Sequence, residues 1–77
     1  MANARIEINP SIMLGKPVIR GTRITVELIV RKLAEGASRE VLLTAYPHLK
    51  EEDIQAALTY AADVLAHEET VLQGGED

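Results

Sequence analysis

Polar and apolar residues alternate over short distances in the first 25 residues of the chain. Residues 5–8 alternate strictly, which predicts a short, half-buried β-strand. Pro10 lies in a turn-forming triplet, and Gly-Lys-Pro at residues 15–17 interrupts the next apolar stretch. β-Branched residues then flank Gly21 and Thr22, which predicts a tight hairpin or two extended pieces joined by a bend. Residues 5–25 are therefore predicted to form a β segment, with Gly21 best suited to a positive φ.

Helical spacing begins after Thr25, whose hydroxyl is suited to cap a helix. The next apolar residues follow at i, i+3, i+4 and i+7, namely Val26, Ile29, Val30 and Leu33. This spacing predicts a first helix over residues 26–35. Gly36 then ends it, because glycine readily adopts the left-handed conformation found after helix C-termini.

A second, shorter helix is predicted over residues 38–45, with Ser38 as its cap. The residues expected to face inward are Val41, Leu42 and Ala45. The helix should end by Tyr46, because the residue before a proline is pushed out of the α conformation.

A third helix is predicted over residues 51–69. Its first turn has three acidic residues, which the helix dipole favours at that end. One apolar stripe consists of Ile54, Ala57, Leu58, Ala61 and Leu65, and an adjacent one consists of Ala56, Tyr60 and Val64. Two apolar faces on one helix indicate two neighbours, one of which is expected to be another subunit. Residues 70–77 are predicted to be a frayed acidic tail.

Length and composition favour one small domain over residues 1–77. Hydrophobic residues make up 47% of the chain, yet Trp, Phe and Cys are absent, so the core must be aliphatic and has no disulfide. No apolar run approaches the ~20 residues that span a bilayer, and no secretory signal is evident. We therefore expect a mainly α, three-helix protein that resides in the cytoplasm and has no membrane partner.

Charge is divided unevenly along the chain, whose net value is −4. Residues 1–50 contain eight basic and four acidic residues, whereas residues 51–77 contain eight acidic and no basic residues. The uneven charge predicts either a basic face that meets a polyanion, or a folded surface on which the two halves mix. The sequence leaves both interpretations open.

The residues that catalysis requires are not arranged in any recognisable pattern. His48 lies in a turn and is expected to be a surface or helix-capping residue. Asp63 and His67 share a helix face but lack a third metal ligand. The glycines near Lys16 and Thr22 lack the spacing of a phosphate-binding loop. We therefore predict that the chain is not an enzyme and has no cofactor and no metal.

Basic residues are concentrated in the predicted β segment. The candidate DNA-binding residues are Lys16, Arg20, Arg23 and Arg5, which suit phosphate contacts. The alternative is that these charges solvate the outer edge of a hairpin and deter edge pairing. The second and third helices have the proportions of a helix-turn-helix, but the third has no Lys or Arg after Lys50. If DNA binds, the basic segment should therefore contribute more than the third helix.

Two segments together resemble a known family. Residues 15–24, with the sequence GKPVIRGTRI, look like the signature of small bacterial and archaeal proteins grouped as domain of unknown function 433. The resemblance continues through Gly36 and Ser38, residues 46–49 (YPHL) and residues 53–61, and covers about residues 5–65. The family often has Thr or Ser before the acidic turn of the third helix, where this chain has Lys50.

This resemblance implies a homeodomain-like or winged-helix-like fold that commonly dimerises and is similar to VapB-type antitoxins. Such proteins are expected to bind and neutralise a PIN-like ribonuclease toxin and to repress their own operon through operator DNA. We therefore predict an antitoxin-like, DNA-binding homodimer, with a dimeric adaptor that does not bind DNA as the alternative. Candidate partner or dimer contacts are Ile6, Ile8, Tyr60 and Val64.

Overall fold

Three helices follow a short two-stranded sheet. The structure, a computed structural model, describes residues 4–73, with side chains for residues 4–68. The elements in chain order are β1 (Ile6–Glu7), a 3-10 turn (Met13–Gly15), β2 (Val18–Ile19), α1 (Val26–Ala34), α2 (Arg39–Ala45) and α3 (Glu51–Gln73). The predicted mainly α bundle with short N-terminal strands is confirmed.

The two strands pair with each other in antiparallel orientation. Ile6 lies opposite Ile19, and Val18 also forms an isolated bridge with Thr25. The predicted bend is present, because the Thr22 N–H donates to the Ile19 carbonyl at 3.0 Å and Gly21 has a φ of 81°. The chain therefore reverses at this turn, and β2 lies between β1 and the segment after the turn, since the Ile19 N–H also donates to the Ile24 carbonyl at 2.8 Å.

This pairing corrects the expectation that Ile6 contacts a partner. Its side chain is buried in the protein's own core, since β1 lays it against the helices. Ile8, one residue beyond β1, is 58% exposed. Of the two N-terminal isoleucines, only Ile8 is accessible to a second molecule.

The predicted caps of the first two helices are confirmed. The Thr25 hydroxyl accepts a hydrogen bond from the Leu28 N–H at 3.0 Å, and the Ser38 hydroxyl accepts one from the Val41 N–H at 3.1 Å. These bonds satisfy amide groups that have no partner within the helix itself. α1 and α2 therefore begin where the sequence indicates.

α3 begins without a Ser or Thr cap. The Asp53 carboxylate instead reaches back, and its Oδ2 accepts from the Lys50 N–H at 3.0 Å. This is the half of a capping box that the third residue of a helix provides, and it does not depend on the side chain at position 50. α3 continues to Gln73, four residues beyond the predicted end. Of the predicted frayed tail, residues 74–77 lie outside the described part of the chain.

The core forms where α1 and α3 cross, with β2 and α2 closing it. Its largest fully buried side chains are Ile19, Ile29, Leu42, Ile54 and Val18. The inward face of α2 differs from the prediction, because Val41 is 55% exposed and Ala45 is also exposed. α2 instead turns Leu42 and Leu43 toward the core, and Tyr46 after its end packs there as well.

Candidate binding surfaces

The basic residues predicted to bind DNA have different environments in the fold. Arg5 Nη1 donates to Asp53 Oδ1 at 2.9 Å, and the Asp53 side chain is only 8% exposed. This ion pair connects the start of the chain to the first turn of α3. Part of the positive charge of Arg5 is therefore already neutralised within the protein.

Lys16 also has an acidic partner, in a more exposed setting. Its Nζ lies 3.2 Å from Glu27 Oε1, and Arg31 Nη2 lies 3.1 Å from the other oxygen of that carboxylate. Hydrogen bonds from Arg31 and Lys16 hold the pKa of Glu27 below its usual value, because they stabilise the charged form. All three side chains are more than half exposed, so the cluster is open to solvent.

Arg20 and Arg23 flank the Gly21 turn and have no carboxylate partner among the described residues. Arg20 Nε donates to the Ala4 carbonyl at 2.7 Å, which orients the guanidinium without neutralising it. Arg23 is exposed and forms no side-chain hydrogen bond within that part of the chain. We call residues 20–23 the arginine turn. Of the four predicted DNA contacts, these two arginines keep their full charge.

An apolar groove runs between α1 and α3. Its volume is about 550 Å³, and the charged residues along its rim are Lys16, Glu27, Arg31 and Glu35. Its apolar lining includes Val30, Ala34, Tyr60, Ala61, Val64 and Leu65. We call it the α1–α3 groove. It brings together Tyr60 and Val64, the two predicted partner contacts on α3, and adds Val30 and Ala34 of α1.

A second cavity, of about 520 Å³, lies beside the arginine turn. We call it the turn pocket, and its lining residues are Glu7, Ile12, Gly21, Thr22, Arg23, Ile24 and His48. The cavity was not predicted from the sequence, whereas His48 is exposed, as predicted for a surface residue. No local signal could have revealed the cavity, because its walls come from separate segments that meet only after folding.

The described residues contain neither a membrane-spanning helix nor a cluster of metal ligands. Within residues 4–73, no helix is both long enough and apolar enough to cross a membrane. Among the side chains of residues 4–68, no three His, Cys, Asp or Glu residues come close enough together to hold a metal ion. Asp63 and His67 are both exposed on α3.

The fold and its surfaces define a small three-helix domain with an N-terminal sheet, an apolar groove and a cationic turn. The chain belongs to the DUF433 family of proteins of unknown function, whose model matches residues 6–61. It is similar to the uncharacterized protein y4eO of Sinorhizobium fredii, with 43% identity over 53 residues. It also resembles the crystal structure of a DUF433 member from Anabaena variabilis, with 39% identity and a TM-score of 0.75.

The matched regions cover different shares of the proteins compared. The match to y4eO spans 69% of this chain but 24% of that protein, and the match to the Anabaena structure spans 77% of this chain and 58% of that one. In both relatives, the shared domain is therefore part of a longer polypeptide.

Proposed function

We propose that this chain is an antitoxin-type binding protein that acts in the cytoplasm. The α1–α3 groove holds an apolar segment of a PIN-like ribonuclease and thereby neutralises it, and the arginine turn contacts operator DNA to repress the operon. The observation that carries the proposal is the groove, an apolar channel of about 550 Å³ that the described chain leaves open.

The shape of the groove supports a helical segment as the occupant. Two packed helices form its walls, and a third amphipathic helix fits such a channel through apolar residues at helical spacing. Val64 and Leu65, on the α3 wall, are 39% and 57% exposed. Covering these side chains removes apolar surface from water. This burial favours association by about 25 cal/mol for each Å² that is covered.

Charge supports a basic partner. α3 contains no Lys or Arg, and its acidic residues include Asp63 and Glu68 on the exposed C-terminal half. A ribonuclease must present positive charge to bind RNA, so an acidic helix is complementary to the surface that it would mask.

The DNA-binding half of the proposal rests on Arg20 and Arg23, whose charges are not neutralised by carboxylates of the described chain. The acidic first turn of α3 would repel phosphates, so α3 does not act as a recognition helix in this proposal. Lys16 can join the contact, because the exposed ion pair with Glu27 is weak and is easily exchanged for a phosphate.

Dimerisation completes the proposal. β1 has only β2 as a partner within the described residues, so its outer edge is open to the same strand of a second chain. The exposed Ile8 beside that edge would gain burial in such a homodimer. Light scattering on the purified chain gives the oligomeric state, and Ile8→Lys should shift a dimer to monomer.

The experiment that tests partner binding is co-purification with the product of the neighbouring gene. Val64→Asp should reduce complex formation at least tenfold and restore ribonuclease activity, because it places a charge in the groove. Val41→Asp is the matched control, since Val41 is also exposed and lies outside the groove lining. Equal effects of the two variants, or no effect of either, would remove the groove from the function.

DNA binding is tested separately with promoter DNA over a range of salt concentrations. Arg20→Glu and Arg23→Glu should each weaken binding and lower the slope of log K against log salt by about 0.9 per lost phosphate contact. Lys32→Glu is the control of equal charge change, on the exposed face of α1. Partner binding without DNA binding would leave the alternative, a dimeric adaptor with no role on DNA.

A further inference from the structure

The turn pocket contains three polar side chains that no other part of the described chain uses. Glu7, Arg23 and His48 all line it, and none of their side chains forms a hydrogen bond or ion pair within residues 4–68. They come from β1, the arginine turn and the turn before α3. Arg23 and His48 are exposed and Glu7 is half-buried, so all three side chains are accessible to a ligand in the cavity.

The cavity walls around these groups are apolar, and hydrogen bonds fix the turn that forms part of them. Ile12 and Ile24 are half-buried and line the pocket. The Thr22 hydroxyl donates to the Ile19 carbonyl at 2.7 Å and accepts from the Ile24 N–H at 3.0 Å, so the turn is fixed on both sides. The volume of about 520 Å³ lies within the range of ordinary small-ligand sites.

The set of polar groups restricts the chemistry of the ligand. Arg23 and His48 can donate to a phosphate, and both side chains are planar groups that stack on nucleobases. The Glu7 carboxylate would repel a bare anion but accepts hydrogen bonds from sugar hydroxyls or amino groups. A ligand that satisfies all three groups therefore has an anionic part, hydroxyl or amino donors, and a flat face for the isoleucine wall.

We propose that the turn pocket binds a single ribonucleotide unit, in which Arg23 and His48 contact the phosphate and base and Glu7 accepts from the ribose hydroxyls. The unit is either a free nucleotide or one residue of single-stranded RNA. This site shares Arg23 with the proposed duplex contact, whereas Arg20 does not line the pocket and belongs to the duplex contact alone.

The proposal is tested by titrating the full-length, isotope-labelled chain with nucleotides and following its backbone amide signals by NMR. AMP, CMP, GMP and UMP are added separately, up to about 10 mM, a range that detects affinities near 1 mM. At least one should cause saturable shifts centred on residues 21–24 and 48. Its deoxy counterpart should bind more weakly, and inorganic phosphate should cause no saturable shift.

Variants then assign the contacts. Glu7→Gln, Arg23→Ala and His48→Ala should each weaken binding at least fivefold, whereas Glu40→Gln, on the exposed first turn of α2, should not. Retained dispersion of the amide signals shows that each variant is folded. Arg23→Lys, which keeps the charge but not the planar group, should bind with intermediate affinity. If a short RNA strand binds more tightly than its mononucleotide, the ligand is single-stranded RNA. If the two bind equally, the ligand is the free nucleotide.

Three results would overturn the proposal. These are the absence of saturation with every nucleotide, equal shifts with inorganic phosphate, or shifts that map to the α1–α3 groove instead. Arg20→Glu separates this site from the operator contact, since it should weaken duplex binding and leave nucleotide binding unchanged. Loss of one activity therefore leaves the other independently measurable.

Discussion

Arg5 and Asp53, 48 residues apart in sequence, form an ion pair with 2.9 Å between Nη1 and Oδ1. The second oxygen of Asp53 accepts from the Lys50 N–H, so one buried carboxylate both starts α3 and holds the segment before β1. This arrangement gives Arg5, a basic residue near the start of the chain, a contact within the fold.

Replacing Asp53 should therefore destabilise the protein more than replacing Arg5. Asp53→Ala removes a helix cap and a charged hydrogen bond together, and we expect a loss of about 2 kcal/mol in the free energy of unfolding. Asp53→Asn keeps the cap and should cost less. Arg5→Ala should cost least, because its partly exposed charge is screened by solvent. Urea unfolding of the three variants gives the order, and a neutral effect of Asp53→Ala would contradict this role.

The cap of α1 offers a second test. Thr25 is buried, and its hydroxyl accepts from the Leu28 N–H. Thr25→Val keeps the branched shape and removes the acceptor, so it should lower stability by about 1 kcal/mol. Thr25→Ser keeps the acceptor and serves as the control. If both variants lost equal stability, packing of the methyl group and not capping would explain the position.

Gly21 should resist substitution for a conformational reason. Its φ is 81°, and a Cβ built there would meet no heavy atom within 4 Å. The cost of a side chain at this position therefore comes from backbone strain and not from a steric clash. We expect Gly21→Ala to cost about 1–2 kcal/mol and Gly21→Asn to cost less, since Asn tolerates the left-handed region better. Thermal unfolding of the pair checks the order. An Ala variant as stable as the parent would mean that the turn adopts another conformation.

Acid should protonate Glu27 and disrupt the Lys16–Glu27–Arg31 cluster only at a pH below the usual pKa of Glu. The pKa of Glu27 is lowered by its bonds to Arg31 and Lys16, so the folded protein holds this proton more weakly than the unfolded chain does. The stabilisation is present above the unfolded pKa and is lost as pH falls through the folded value. NMR titration of the Glu27 carboxyl should show this lowered pKa, and Arg31→Ala should raise it. An unchanged pKa in that variant would contradict the assigned cause.

The local parts of the fold are readable from the sequence because their signals are local. Thr25 and Ser38 mark helix starts through hydrogen bonds that span three residues, and Pro47 limits α2 by its covalent structure. The prediction that Val41 and Ala45 face inward is wrong, because so short a helix presents two adjacent apolar stripes. Only packing against α1 and α3 selects the one that contains Leu42 and Leu43.

The candidate sites were predictable only in part, for the same reason. Tyr60 and Val64 stood out because they form a second stripe on one helix, and the groove contains both. The pairing of Arg5 with Asp53 and the meeting of Glu7 with His48 in one cavity depend on long-range contacts. No periodicity within a segment encodes such contacts, and so these relationships emerge only from the folded chain.

The unbroken course of α3 sets the spatial relationship between its two ends. Ile54 is fully buried in the core, whereas Val64, ten residues later, faces the groove. At 1.5 Å per residue, the two positions lie about 15 Å apart along one rigid rod. A molecule bound near Val64 is therefore held at a fixed distance from the part of the protein that packs against the N-terminal half of α3, and in a fixed orientation to it.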